Sequence, residues 1–121
     1  MYSRIYNEMD RRNQDNEIMD KESAIKLTQD YLIKVKKSDI DISEAWLFGS
    51  FARGNNNENS DIDLAIVLSK NNRTFDTEVK LMTLRTGEET LIEPHAFNKD
   101  EFEPNSPMVY QIIKSGLRLN F

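Results

Sequence analysis

The sequence predicts a two-layer α+β fold, and three observations lead to this prediction. An amphipathic helical pattern follows Asp20, an apolar strand pattern covers residues 61–68, and helical and strand patterns alternate over the rest of the chain. The 121 residues suffice for one domain with a modest hydrophobic core. We therefore expect one small domain in which helices and strands form separate layers.

Residues 1–19 differ in composition from the rest of the chain. They are polar and rich in charge, so we expect a loosely attached arm followed by a domain over residues 20–121. Asp20 is a good N-cap for the first helix, and Glu22 lies in its first turn, where the helix dipole favours negative charge. The buried face of this helix is predicted to hold Ala24, Leu27, Thr28, Tyr31, Leu32 and Val35.

The remaining elements follow from local patterns and turn residues. We predict strands over residues 44–48, 61–68, 90–97 and 117–121, a helical turn over 50–53, and helices over 74–85 and from Ser106 to the residue before Gly116. Pro94 predicts that its strand lies at a sheet edge or forms a bulge. The last two helices carry apolar stripes, formed by Phe75, Val79 and Met82 in one and by Met108, Val109, Ile112 and Ile113 in the other.

Composition excludes several classes of function. The net charge is -5 and the short basic run at residues 34–37 suits a helix C-terminus, so we expect no direct binding of nucleic acid. The chain has no cysteine, which excludes disulfides and thiolate metal sites. No apolar run approaches the length of a membrane span and no signal peptide is evident, so we expect a cytoplasmic protein without a membrane partner.

Two carboxylates and a Gly-Ser pair form the most informative stretch of the sequence. Asp61 and Asp63 are two residues apart in a predicted strand, so their side chains are expected on one face. Paired acids of this kind suit Mg²⁺ and, through it, phosphate groups. Gly49 would let the backbone approach a phosphate closely, and Ser50 would offer its hydroxyl and its N–H. The stretch predicts a site that handles nucleotides.

A third acid would complete such a site, and Glu93 is the best candidate. If its strand neighbours residues 61–68, Glu93 could hold a second metal ion or accept a proton from the attacking hydroxyl. Glu88 and Glu89 are the alternatives, in the turn before the strand. His95 shares the predicted face of Glu93 and could line the pocket, although a structural role for this histidine is favoured. Arg53 could contact a phosphate or pair with a nearby acid.

These residues resemble the signature of the DNA polymerase β-like nucleotidyltransferase superfamily. The likeness lies in Gly49-Ser50, ten intervening residues and then Asp61-x-Asp63, with Arg53-Gly54 between them. The short chain, the strand IEPHAF and the helix that begins at Ser-Pro resemble the minimal nucleotidyltransferases of this superfamily. The resemblance covers about residues 20–121. Glu93 stands where many members have Asp.

The resemblance implies a fold, an activity and a partner. The implied fold is a small mixed sheet with helices packed on one face. The implied activity is transfer of AMP from ATP with two Mg²⁺ ions, with Asp61, Asp63 and Glu93 as catalytic and metal-binding residues and with Gly49, Ser50 and Arg53 at the nucleotide. Many minimal members act as antitoxins of helical HEPN-domain toxins, some by adenylylating a tyrosine of the toxin.

Two other functions stay open at this point. The chain could neutralise a helical partner by occlusion, without catalysis, as a binding module. It could instead adenylylate a small molecule such as an antibiotic, but the larger relatives that do so carry an additional helical domain for which this chain has no room. Exposed sheet edges in a domain of this size favour a homodimer or a complex with another protein. Neither the acceptor nor the preferred nucleotide base follows from the sequence.

Overall fold

The computed structural model describes residues 18–121, which form one four-stranded sheet and four α-helices. In chain order these elements are α1 (Lys21–Lys36), β1 (Ile42–Phe48), α2 (Ser50–Arg53), β2 (Ile62–Leu68), α3 (Thr74–Thr83), β3 (Ile92–Asn98), α4 (Pro107–Ser115) and β4 (Leu117–Arg118). Short 3-10 turns precede and follow β3. No helix in the described part of the chain is long and apolar enough to cross a membrane.

The sheet is mixed, which confirms the expected fold class. Its strand order is β3-β2-β1-β4, with β1 antiparallel to both β2 and β4. The strands β2 and β3 are parallel, and α3 connects them. Such a connection requires a crossover rather than a tight turn, which is why a helix separates these two strands in the sequence. The central position of β2 explains its nearly continuous apolar sequence.

The main hydrophobic core lies on one face of the sheet. From the sheet it receives the alternate side chains of β1, β2 and β3, such as Leu47, Leu64 and Ile92. From the helices it receives Leu81 of α3 and the predicted inner face of α1, of which Ala24, Thr28, Tyr31, Leu32 and Val35 are buried. Asp20 caps α1 as predicted, accepting a 2.8 Å hydrogen bond from the Ser23 N–H. Because successive side chains of a strand alternate between faces, the strand residues between the core positions point to the opposite face of the sheet.

The opposite face is partly covered by the chain after β3. Phe102 packs against Phe97 and Trp46, with ring centroids 5.4 and 6.2 Å apart, so this segment crosses from β3 towards β1. Helix α4 then contacts β1 and buries Val109 and Ile112. The predicted apolar face of α4 is only half confirmed, because Met108 and Ile113 are exposed.

Helix α3 differs from its prediction in length and orientation. It ends at Thr83 rather than at residue 85. Its buried residues are Thr77 and Leu81, and the apolar stripe of Phe75, Val79 and Met82 is exposed, with Phe75 at 75%. The stripe predicted the buried face of α3, but this helix packs on the sheet through Leu81 and Thr77 instead.

The boundaries of the predicted third strand were also wrong at its start. Strand β3 begins at Ile92 rather than at residue 90, because a 3-10 turn over Gly87–Leu91 precedes it. Thr86 and Glu89 form a reciprocal capping box that starts this turn. Glu89 also accepts a bond from Lys34 of α1, so this acid holds α1 against the turn. The alternative third acid Glu89 therefore has a structural role.

Strand β3 is an edge strand, as Pro94 predicted. The Ala96 N–H does not point into the ladder with β2 but donates a 2.8 Å hydrogen bond to the carboxylate of Glu78 on α3. This bond ties the edge strand to the helix that covers it.

The predicted polar arm lies almost wholly outside the described residues, which begin at Ile18. Ile18 is exposed, and Met19 packs against the core. The main-chain carbonyl of Met19 also accepts a 3.0 Å hydrogen bond from the Asn56 side chain. The chain just before α1 is therefore attached to the loop between α2 and β2.

Tyr31 joins α1 to α3 in the core. Its ring is fully buried, and its hydroxyl donates to the main-chain carbonyl of Leu81. Burial raises the pKa of the Tyr31 phenol, because the phenolate would lose its hydration. The neutral phenol thus links the C-terminal turn of α3 to the middle of α1.

We expect Tyr31→Phe to lower the free energy of unfolding by about 1 kcal/mol, because the ring still fills its site but the hydrogen bond is lost. Tyr110→Phe is the matched control, since Tyr110 is half-exposed on α4. Urea denaturation of both variants measures the difference. Equal unfolding midpoints for Tyr31→Phe and the wild-type protein would contradict the role assigned to this hydroxyl.

Candidate functional site

Strand register brings two of the predicted acids together. Asp63 of β2 lies directly opposite Glu93 of the parallel strand β3 and, on its other side, opposite Phe48 of β1. Residues that face each other across a ladder project to the same face of the sheet. His95, two residues after Glu93, projects to that face as well. The three polar side chains therefore meet on the face opposite the main core.

The functional atoms of these three side chains form a compact group. One oxygen of Asp63, one oxygen of Glu93 and one ring nitrogen of His95 all lie within 4.8 Å of one another. The side chains of Asp63 and His95 are 28% and 30% exposed, and Glu93 is exposed. Within residues 18–121 this is the one group of three acidic or histidine side chains close enough to share a metal ion. The group is open to solvent on the side of Glu93.

Gly49 forms the wall of the group beside Asp63. Its backbone has φ 78° and ψ -154°, a conformation that is essentially restricted to glycine. A Cβ atom at this position would overlap the Oδ2 atom of Asp63, so any side chain here would displace the carboxylate. The glycine therefore serves two purposes, since it allows the sharp turn from β1 into α2 and it leaves space for Asp63.

Helix α2 presents the other predicted nucleotide-binding residues. Gly49 is its N-cap, and Ser50 is its first helical residue rather than its cap. Ser50 is half-buried, whereas Arg53 in the last turn is exposed and forms no ion pair within residues 18–121. Gly54 ends the helix in the left-handed conformation. The predicted helical turn is thus confirmed.

Asp61 is not part of the group around Asp63. The prediction placed it inside the strand, but β2 begins at Ile62, and Asp61 is exposed just before it. The preceding loop closes in a turn in which the Asn57 N–H donates to the Ser60 hydroxyl and the Ser60 N–H donates back to the Asn57 carbonyl. Because Asp61 lies between this turn and the first ladder pair of β2, the strand geometry does not fix its side chain as it fixes Asp63.

His95 belongs to the group, although the sequence favoured a structural role for it. Its ring packs against Phe48 with centroids 5.4 Å apart, and its Nε2 atom lies 3.6 Å from Oδ1 of Asp63. The Asp63 carboxylate raises the pKa of His95 above its ordinary value, partial burial opposes this rise, and Glu93 and Glu78 add to it. The signal in the sequence was the two-residue spacing from Glu93 on one strand.

The donor set is suited to a divalent cation. Carboxylate oxygens are the ligands that Mg²⁺ prefers, and one or two of them usually suffice when substrate phosphates supply others. The Asp63 and Glu93 carboxylates come close enough to share an ion, and the absence of a side chain at Gly49 leaves room for the Asp63 carboxylate. The residues present therefore fit a Mg²⁺ site.

Comparisons with known proteins bear on the family and the fold of this chain. The sequence profile of the family described as "Polymerase beta, Nucleotidyltransferase" matches residues 30–120. A candidate nucleotidyltransferase from Sulfolobus solfataricus is similar in structure, with a TM-score of 0.60 and 22% identity over 81% of this chain and 80% of that chain. A mutant of the toxin–antitoxin pair MntA–HpeT matches less closely, with a TM-score of 0.47 and 17% identity over 84% and 73% of the two chains. No curated protein sequence matches significantly.

The family profile covers three quarters of the chain and includes every strand of the sheet, both aspartates, Glu93 and the Gly-Ser pair. At 22% identity the Sulfolobus structure shows a shared fold alone. That fold and the profile agree, and the chain therefore belongs to the polymerase β nucleotidyltransferase family.

Proposed function

We propose that this protein is a Mg²⁺-dependent nucleotidyltransferase that passes AMP from ATP to a hydroxyl group. The observation that carries the proposal is the pairing of Asp63 and Glu93 on adjacent strands, beside a glycine that leaves room for the Asp63 carboxylate. In the transfer, the acceptor hydroxyl loses its proton to a carboxylate of the site or to solvent and its oxygen bonds to the α-phosphorus. The bond from the α-phosphorus to the bridging oxygen breaks, and pyrophosphate leaves. The family assignment supports nucleotidyl transfer, and the nature of nucleotide and acceptor is our inference.

Asp63 and Glu93 are the proposed metal ligands. Divalent ions bound to their carboxylates would neutralise charge on the phosphates and lower the pKa of the attacking hydroxyl. The backbone of Asp63 is paired with a strand on both sides, and its carboxylate lies beside the backbone of Gly49. Glu93 is exposed and faces the solvent side, from which the nucleotide and the acceptor must arrive. Asp61 remains a proposed ligand at the rim of the site.

The first turn of α2 is the proposed binding site for the triphosphate. The first N–H groups of a helix have no partner within it, and in α2 they begin at Gly49, beside Asp63. Phosphates bound there would lie next to the metal ligands. Ser50 would donate its hydroxyl to a phosphate oxygen. Arg53, exposed at the end of the same turn, would add a positive charge.

The proposed acceptor is a tyrosine hydroxyl of a helical HEPN-domain toxin, so that the protein acts as an antitoxin. This part of the proposal comes from the resemblance to minimal nucleotidyltransferases that the sequence carries. It is tested by purifying the chain together with the product of its neighbouring gene, adding ATP and Mg²⁺, and measuring the intact masses of both proteins. One or more added AMP units on the partner would support the proposal, and an unchanged partner mass would contradict it.

Occlusion of a partner is the second candidate function, and one observation favours it. Phe75, Val79 and Met82 form an exposed apolar stripe along α3, on the side away from the sheet. Single exposed apolar residues are common, but three on one helix face are typical of a protein-binding surface. If the double variant Asp61→Asn, Asp63→Asn still neutralises the partner, occlusion rather than transfer explains the activity.

We expect Asp63→Asn and Glu93→Gln each to lower the rate of AMP transfer at least about a hundredfold, because each removes a charge that holds the ion. Asp61→Asn is expected to have the same effect if Asp61 binds metal when nucleotide is present. Asp100→Asn is the control, since Asp100 is an exposed acid of the 3-10 turn after β3. Circular dichroism checks that all variants fold. Full activity in Asp63→Asn would refute the mechanism.

Gly49→Ala and Gly54→Ala separate backbone strain from the loss of space at Asp63. Both glycines have φ 78°, but nothing lies within 4 Å of a Cβ on Gly54. We expect Gly54→Ala to cost about 1–2 kcal/mol of stability and to keep binding ATP with Mg²⁺. Gly49→Ala is expected to cost more and to lose this binding, measured by calorimetry. Equal nucleotide affinity in the two variants would show that Gly49 is not needed for its closeness to Asp63.

The interaction of Asp63 with His95 is expected to be visible in the metal-free protein. His95 is the one histidine of the chain, so its proton resonances can be titrated without overlap. We expect a pKa above the ordinary value of about 6.5 in the presence of a chelator, and a lower pKa in Asp63→Asn. Because the pKa is raised in the folded state, this interaction stabilises the fold fully below about pH 6.5 and its contribution disappears as the pH rises through the raised value. An unchanged pKa in Asp63→Asn would contradict the contact.

A further inference from the structure

The proposed nucleotidyl transfer gives no role to the Nε2 atom of His95. It is buried and makes no hydrogen bond within residues 18–121. The Oδ1 atom of Asp63 lies 3.6 Å from it, beyond the range of a hydrogen bond. A buried polar atom without a partner costs about 1–3 kcal/mol. Such an atom at the centre of a cluster of acids indicates a missing ligand between it and its neighbours.

The distances within the group match those between ligands of one metal ion. Two ligand atoms that each lie about 2.1 Å from a cation are about 3.0 Å apart in octahedral and about 3.4 Å apart in tetrahedral coordination. The separation of 3.6 Å between His95 Nε2 and Asp63 Oδ1 is close to the second value. One carboxylate oxygen of Glu93 lies within 4.8 Å of one oxygen of Asp63 and one ring nitrogen of His95. A small movement of side chains would bring all three onto one ion.

The imidazole is held in this position from several sides. Its ring packs on Phe48, and its residue pairs with Ala65 in the parallel ladder. The residue before it is Pro94, which restricts the backbone, and the residue after it, Ala96, is tied to Glu78 of α3. A ligand fixed in this way loses little conformational freedom when it binds a metal ion.

The chemistry of the donor set identifies the class of ion. Carboxylates and water suit Mg²⁺, whereas imidazole suits first-row transition metals such as Co²⁺ and Zn²⁺. We propose that His95 Nε2 is a third ligand beside Asp63 and Glu93, and that this mixed set binds a transition-metal ion more tightly than Mg²⁺. The inference rests on the proposed function only in locating the metal at this site, and it concerns metal selectivity rather than transfer.

The first test is nuclear magnetic resonance of the full-length protein, without ATP or partner. Because the chain has one histidine, the imidazole ¹⁵N signals report on His95 alone. We expect Zn²⁺ to shift the Nε2 signal strongly at a ratio of one ion per chain, and Mg²⁺ to leave it near its metal-free position. A Zn²⁺ titration that leaves Nε2 unshifted would overturn the proposal.

The second test measures affinity with variants. Calorimetry with Zn²⁺ and with Mg²⁺ is carried out on His95→Asn, on His95→Phe, which preserves an aromatic ring against Phe48, and on the control Asp100→Asn. Loss of a direct ligand should weaken Zn²⁺ binding at least about tenfold, with Mg²⁺ binding unchanged. Unchanged Zn²⁺ affinity in both His95 variants would overturn the proposal.

The two tests are independent of nucleotidyl transfer. Strong Zn²⁺ ligation by His95 in a protein that transfers no AMP would disprove the proposed function but support the metal site. AMP transfer by a protein whose Nε2 signal is not shifted by Zn²⁺ would support the proposed function but disprove the metal site. If neither His95 variant folds, the resonance experiment on the wild-type protein still decides.

Discussion

Parallel pairing between β2 and β3 places Asp63 directly opposite Glu93, and the other features of the candidate site depend on this register. A shift by one residue would turn Glu93 and His95 into the core and bring Pro94 to the site face. The register is held by burial, since Ile62, Leu64 and Ile92 fill the main core on the other face. Packing in the hydrophobic core thus fixes the pairing of Asp63 with Glu93, although both carboxylates lie on the other face of the sheet.

Gly49 adds a second constraint from the other side of β2. The strand pair β1–β2 brings Phe48 opposite Asp63, so the turn after β1 passes directly beside the carboxylate. The Oδ2 atom occupies the space where a side chain would begin. The strand pairing therefore places the first turn of α2 beside Asp63. Residues separated by more than ten positions in the sequence, Gly49 and Asp63, thus become neighbours in the fold.

Much of this architecture could be predicted from the sequence because its periodicities are strong. The helix after Asp20, the apolar strand β2 and the edge position of Pro94 all follow from local rules. The start of β3 could not be predicted, since the capping box of Thr86 and Glu89 extends a 3-10 turn into the apolar run. The orientation of α3 could not be predicted either, since the helix packs through Thr77 and Leu81 and leaves its apolar stripe exposed.

The sequence predicted the acidic residues of the candidate group, but it did not predict every member of the group. Asp63 and Glu93 meet as expected, because both lie inside regular strands. Asp61 lies one residue outside β2, and a boundary of one residue is beyond the precision of pattern reasoning. The place of His95 in the group was not predicted, because a histidine on a strand that carries apolar residues is also typical of a structural role.

The edge strand β3 has a consequence for how this protein can associate with others. The positions whose amides point away from β2 are Ile92, Pro94, Ala96 and Asn98. The Ile92 N–H donates to the main-chain carbonyl of Glu89. The N–H groups of Ala96 and Asn98 donate to the side-chain carboxylates of Glu78 and Glu101, and Pro94 has no N–H. An incoming strand would find no free donor here, so β3 cannot be extended into a larger sheet. Any assembly that continues the sheet has to begin at β4, on the side of the molecule away from Glu93.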